Sequence, residues 1–231
     1  MTMRMMLLAA AAIAGPAAAS ERSFAVEGFD GISVSSRADV SVSTGKPASV
    51  QASGPDSALD RLEIKVEAGT LKIRTKSGTD WGWGGENVRI LVTVPMLRSA
   101  GVTGSGDVSI DRVAVPEFTA GVSGSGNLRL ASLIADTARF SVAGSGSVAA
   151  AGTSAAVKAS VAGSGDLDLS GLKAQTLSAS VAGSGDVDAH ASITASISVA
   201  GSGDVRVRGG AKCSVSKSGS GAVDCGDFSV R

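Results

Sequence analysis

The sequence predicts an all-β protein, a parallel β-helix or β-solenoid with coils of 18–20 residues and Gly-Ser-Gly turns. Three observations predict it. The Gly-Ser-Gly tripeptide occurs seven times, starting at Gly104, Gly124, Gly144, Gly163, Gly183, Gly201 and Gly219, at intervals of 20, 20, 19, 20, 18 and 18 residues. Apolar residues alternate with polar ones on both sides of it. Val102, Val122, Val142, Val161, Val181 and Val199 stand two before the first glycine, while Val108, Leu128, Val148, Leu167, Val187, Val205 and Val223 stand four after it. A period of two marks strands buried on one face. Lastly, one repeat cannot bury that face alone, but identical coils stacked about 4.8 Å apart turn the valines into a continuous buried column.

A β-meander joined by Gly-Ser-Gly hairpins would give the same alternation. It leaves unexplained the near-constant repeat length and a second apolar point at Val113, Leu133, Leu172 and Ile193, which asks for a third corner or short strand per coil. Parallel crossovers favour a right-handed course.

Taken in order, residues 1–19 read as a secretory signal: Arg4 supplies the positive start, Met5 to Ile13 the apolar run, and Ala17-Ala18-Ala19 the small-residue cleavage site. The run is too short for a bilayer span and is interrupted by Gly15 and Pro16. Cleavage after Ala19 or Ser20 would leave a periplasmic or released chain with no transmembrane anchor, and no cysteine near the site invites a lipid anchor.

Residues 20–95 read as irregular β coils of the same solenoid, or as a cap over its first rung. Short alternating runs such as Val40-Ser41-Val42, Leu62 to Val66 and Val88 to Val94 are separated by glycine-containing breaks. Glu67-Ala68-Gly69-Thr70 is a hairpin or tight corner, and Pro95 ends a strand. Residues 96–231 are the regular repeats. Within them Ala149 to Ala159 has helical propensity, but its register matches the other coils and predicts strand. Lys217 breaks the valine series in the last repeat.

Cys213 lies six residues before Gly219 and Cys225 six after it, the phases that face inward in other coils. In an oxidising compartment they are expected to form a disulfide that staples the terminal coil; two buried free thiols are the alternative. Metal binding by two cysteines without nearby histidines is not expected.

The composition excludes some functions. Lys plus Arg equals Asp plus Glu at 21 each, so no basic surface for nucleic acid is indicated. Asp107, Asp166, Asp186 and Asp204 follow their turns by three residues and form an acidic ladder. Aspartate is a favoured turn residue, and the period differs from that of calcium-binding β-rolls, so a weak cation site is the secondary reading. The Gly-Ser-Gly strings lack the third glycine and following helix of a dinucleotide fingerprint.

Enzyme machinery is thin. His190 is the sole histidine, no serine sits in a nucleophile elbow, and no cofactor is expected. A carboxylate pair such as Asp166 and Asp168 could in principle serve an enzyme acting on polysaccharide, yet few aromatic residues are available to stack sugars. The stretch Thr79 to Asn87 stands apart. Trp81 and Trp83 either form a loop that presents aromatic anchors to a partner, or fold over an exposed edge of the core.

FDGISV at Phe29–Val34, the strand beginning Asp39-Val40-Ser41-Val42, GTLKI at Gly69–Ile73, VTVPML at Val92–Leu97 and the recurring V-x-GSG-D-V form an ordered combination. Together these segments resemble a known family, the putative auto-transporter adhesin head GIN domain. The resemblance spans essentially all of the chain after the signal. It implies an extracytoplasmic parallel β-helix-like domain and brings no catalytic residues. The chain departs from it in the tryptophan loop, the cysteine pair and the missing lipobox cysteine. The expected function is a non-enzymatic scaffold, adhesin-like, whose partner is an envelope or extracellular polymer or protein. An uncovered end rung would also invite homo-oligomers.

Overall fold

The computed structural model describes residues 20–76, 88–226 and 228–230, the last three as backbone. Among them the only helix is a single turn, so sheet hydrogen bonding holds the chain together.

The N-terminal part is irregular in path but not in pairing. β1 (Ser20–Phe24) is followed by β2 (Gly31–Ser35) and β3 (Asp39–Thr44), which make one coil. β4 (Ser49–Gly54) then turns back, α1 (Asp56–Leu59) follows, and β5 (Leu62–Glu67) and β6 (Thr70–Thr75) form a hairpin. Ala68 and Gly69 both take positive φ, 48° and 73°, so the predicted tight corner is a two-residue hairpin turn. After β7 (Arg89–Val94) the chain stops at Pro95, crosses to β8 (Ser99–Gly104), and enters the regular coils.

The pairings show how the parts stack. β2 lies between β6 and β8, parallel to both, and the next strand, β9 (Asp107–Ile110), runs parallel to β3, which is also parallel to β7. The coil made by β2 and β3 therefore sits between β8–β9 on one side and β6 and β7 on the other. Beyond these, β5 on β6, β4 on β7 and β1 on β4 are antiparallel and close the N-terminal end.

The regular coils continue through β10 (Val113–Ala114), β11 (Glu117–Gly124), β12 (Asn127–Gly144), β13 (Ser147–Gly163), β14 (Asp166–Gly183) and β15 (Val187–Gly201). They finish in β16 (Val205–Arg208), β17 (Lys212–Ser218), β18 (Val223–Cys225) and β19 (Phe228–Val230). Each coil has a first side leading into the glycine turn, a second side after it, and a short third side. The valines fall into register as the repeat spacing requires: Val102, Val122, Val142, Val161, Val181 and Val199 are consecutive partners on the first side, all buried. Residues 149–159 are extended within β13, so register prevails over alanine's helical preference.

The core is one continuous column of Val, Leu, Ile and Ala. Where two larger rings are accommodated, Phe118 and Phe140 sit diagonally on adjacent strands with centroids 6.4 Å apart and planes tilted by 60°.

One apolar position departs from the sequence reading. Val113, Leu133 and Leu172 are buried on the third side, but Ile193 is 54% exposed. Leu169 pairs with Ala189 while the next pair is Lys173 with His190, so the shorter coil drops its residues at that corner. Ala191, opposite Ala174, supplies the inward group instead, and Ile193 falls on a bulge before Thr194.

The last coil is closed by a disulfide. Cys213 on β17 and Cys225 on β18 are joined, with Cα atoms 6.4 Å apart, across the two sides as their phases predict. Lys217 stands opposite Val199 in the valine column, half-buried, in the outermost first-side strand. A charge at an inward phase keeps that exposed edge from recruiting another strand.

Candidate functional site

The glycine turns are built by the backbone. The first glycine of each tripeptide takes a φ between 108° and 138°, which side chains other than hydrogen resist. Its carbonyl accepts two N–H groups from the next turn: Ser125 and Gly126 donate to Gly104 O at 2.8 and 2.9 Å, and Ser145 and Gly146 to Gly124 O at 2.9 Å each. A Cβ on Gly124 would lie 2.5 Å from Gly104 O, and one on Gly146 would lie 2.7 Å from Val122 Cγ1. The central serines are left exposed as a file along this edge.

The acidic ladder has a structural task. Asp186 N–H donates to Asp166 Oδ1 at 2.9 Å, Asp204 N–H to Asp186 Oδ1 at 2.8 Å, and Ala222 N–H to Asp204 Oδ1 at 2.7 Å. At the other end Asn127 donates both its backbone N–H and its side-chain amide to Asp107 Oδ1, at 3.0 and 2.9 Å. Ser147 interrupts the run, and there Asp166 N–H turns to Gly146 O at 3.2 Å. Each aspartate therefore satisfies a main-chain donor of the following coil. No group of three His, Cys, Asp or Glu residues placed to hold a metal ion occurs among the described residues.

Asp168 is likewise occupied, its Oδ1 accepting Ser170 N–H at 3.2 Å and Ser170 Oγ–H at 2.6 Å. The pair Asp166 and Asp168 is thus tied to local and inter-coil donors. On the next coil Asp188, the register partner of Asp168, is held by Arg208 at 3.0 Å and Arg206 at 4.0 Å. Carboxyl groups held below their ordinary range are Glu63, mainly by a hydrogen bond from Lys65, and Glu67, mainly by one from Lys72. Both belong to the β5–β6 hairpin and its ion pairs with Arg74.

The first side presents a flat outer surface of short side chains. Ser141, Ser160, Ser180, Ser198 and Ser216 are consecutive partners, and beside them run Ala143, Ala162, Ala182 and Ala200. The serines and alanines of both columns are exposed.

The third side carries a cleft that the spacing of the turns did not reveal. Its volume is about 430 Å³, and Thr153, Ser154, Lys173, Gln175, His190 and Ser192 contribute its polar lining. Successive third-side strands bring Thr153 opposite Lys173 and Lys173 opposite His190. Here the coil lengths vary and registers shift, so phase counted from the glycines does not carry across. Trp81 and Trp83 lie outside the described residues.

Comparison with solved structures finds the same fold in Bacteroidetes proteins. A putative adhesin from Bacteroides fragilis superposes with a TM-score of 0.83 at 24% identity, covering 89% of this chain and 96% of that one. A putative lipid binding protein from Parabacteroides distasonis gives 0.72 at 23% identity over 90% and 96%. A putative adhesin from the same species gives 0.68 at 22% identity over 89% and 96%. No curated protein matches the chain. Residues 28–211 match a single family along the coils just described. The chain belongs to the family described as putative auto-transporter adhesin, head GIN domain.

Proposed function

We propose that the protein is a non-enzymatic, extracytoplasmic β-solenoid scaffold that holds an envelope or extracellular polymer or protein by broad contact. The observation that carries this reading is the flat first side. Its serine and alanine columns are rigidly spaced by the sheet, exposed, and free of bulky or strongly charged groups at residues 178–182 and 196–200. Such a surface gains affinity from many weak contacts repeated along a polymer. Family membership and the adhesin-like fold support it.

Residues 1–19 serve as the signal for export in this proposal, with cleavage near Ala19. No helix of the described residues is long and apolar enough to cross a membrane. Residues 20–95 act as the irregular cap and 96–231 as the contact-bearing repeats, with Trp81 and Trp83 as an accessory binding loop. Retention of the mature protein on immobilised envelope material tests the reading. Ser160→Arg with Ser180→Arg should lower retention at least fivefold without lowering Tm. Unchanged retention would overturn it, and loss of retention in Trp81→Ala with Trp83→Ala alone would move the contact to the loop.

A further inference from the structure

The third-side cleft is a separate feature from the flat first side, and its chemistry is more specific. Its lining offers an ammonium from Lys173, an imidazole from His190, hydroxyls from Thr153, Ser154 and Ser192, and the Gln175 amide, with no carboxylate among them. Ser154 is buried and donates to Ala156 O at 3.0 Å, and Ser192 donates to Ala174 O at 3.3 Å. Both hydroxyls keep their lone pairs available. Among the described residues the side chains of Lys173, Thr153 and Gln175 make no ion pair or hydrogen bond, and His190 Nδ1 is buried without a partner. A buried polar atom left unpaired is costly unless something else satisfies it.

The apolar part of the lining is small. Ala135, Ala155 and Ala174 contribute only methyl groups, so no wall exists to receive an acyl chain. Two of the large exposed apolar side chains flank the cleft instead. Ile134, 58% exposed, is the register partner of Thr153, and Ile193, 54% exposed, follows Ser192. Neither is needed by the core. Open to solvent, hydroxyl-rich, cationic at its centre and apolar at both ends, the cleft matches a ring that carries hydroxyls, one carboxylate and a C–H face. Its volume also falls within the roughly 300–1,000 Å³ of small-ligand sites.

From this placement we infer that the third-side cleft binds an acidic saccharide, with Lys173 pairing the carboxylate, Thr153, Gln175 and Ser192 meeting ring hydroxyls, and Ile134 and Ile193 covering C–H faces. The site does not depend on the first-side reading, because it lies on another side of the coil.

Titration of the mature protein with a galacturonate trisaccharide, followed by amide NMR shifts at roughly 0.15 M salt, tests it. The expected result is saturable shifts at residues 153–155, 173–175 and 190–192. The methyl-esterified trisaccharide, identical except for its neutralised carboxylates, should bind at least tenfold more weakly. Lys173→Gln should lose at least tenfold with unchanged Tm, and Ile134→Ser with Ile193→Ser at least threefold. Shifts absent from these residues, equal binding of the ester, or an unaffected Lys173→Gln would overturn the inference. So would vesicles of phosphatidylglycerol shifting the same residues when the saccharide does not, which would assign the cleft to a lipid phosphate. Retention through the first side should be untouched by Lys173→Gln, so failure of either reading is seen separately.

Discussion

At the residue scale, the turn glycines and ladder aspartates divide the work of stacking. Gly144→Ala would force a side chain into a φ of 122° and against the Gly124 backbone. It should cost about 3 kcal/mol of unfolding free energy, seen as a lower urea midpoint. Asp186→Ala removes the acceptor for Asp204 N–H and should cost about 1 kcal/mol, whereas Asp186→Asn keeps an oxygen there and should cost less. Equal losses in the two variants would mean that the ladder works through charge and not through its hydrogen bonds. The sequence showed these aspartates as turn residues with a possible cation. It could not show that their oxygens reach forward one coil, because that contact joins residues 18 or 20 positions apart. His190 and Lys173 were invisible as neighbours for a related reason, since bulges between Leu169 and Lys173 break the count from the turns.

At the element scale, the ends of the solenoid need protection that the middle does not. The Cys213–Cys225 bond closes a span of 12 residues over the last coil. Replacing both cysteines by alanine should cost about 3 kcal/mol, and hydrogen exchange should rise in β17 and β18 before it rises in β13. Uniform exchange would show that the staple does not secure the end. The inward cysteine phases were legible in the sequence, since they could be counted from Gly219. At the other end, the β5–β6 hairpin depends on Glu63 and Glu67, both held ionised by neighbouring lysines. Because their folded-state values lie below the unfolded ones, their contribution is present above the ordinary glutamate range. It is lost as pH falls through the depressed folded values. Amide protection factors in residues 62–75, taken relative to the intrinsic exchange rate at each pH, should therefore fall on acidification, less so in Glu63→Gln with Glu67→Gln. The pairing of β5 with β6 was readable from the Ala68-Gly69 corner, but the placement of β2 between β6 and β8 was not. Nothing local in the sequence records that a strand is inserted between two later ones.

At the scale of the whole molecule, repetition carries the account. Stacked coils give one uninterrupted core, and they convert a short sequence period into surfaces with fixed spacing. The same regularity places columns of serine and alanine on the first side, while the third-side cleft forms where the coil length changes. The central claim is that contact with envelope material is made by the first side. Solvent paramagnetic relaxation of the backbone amides, read residue by residue by NMR on protein bound to soluble fragments of such material, tests it directly. Protection of residues 176–182 and 194–200 on the first side, with residues 167–169 and 187–189 on the second side unprotected, is the result the account predicts. Protection spread equally over all sides, or absent from the first, would contradict it.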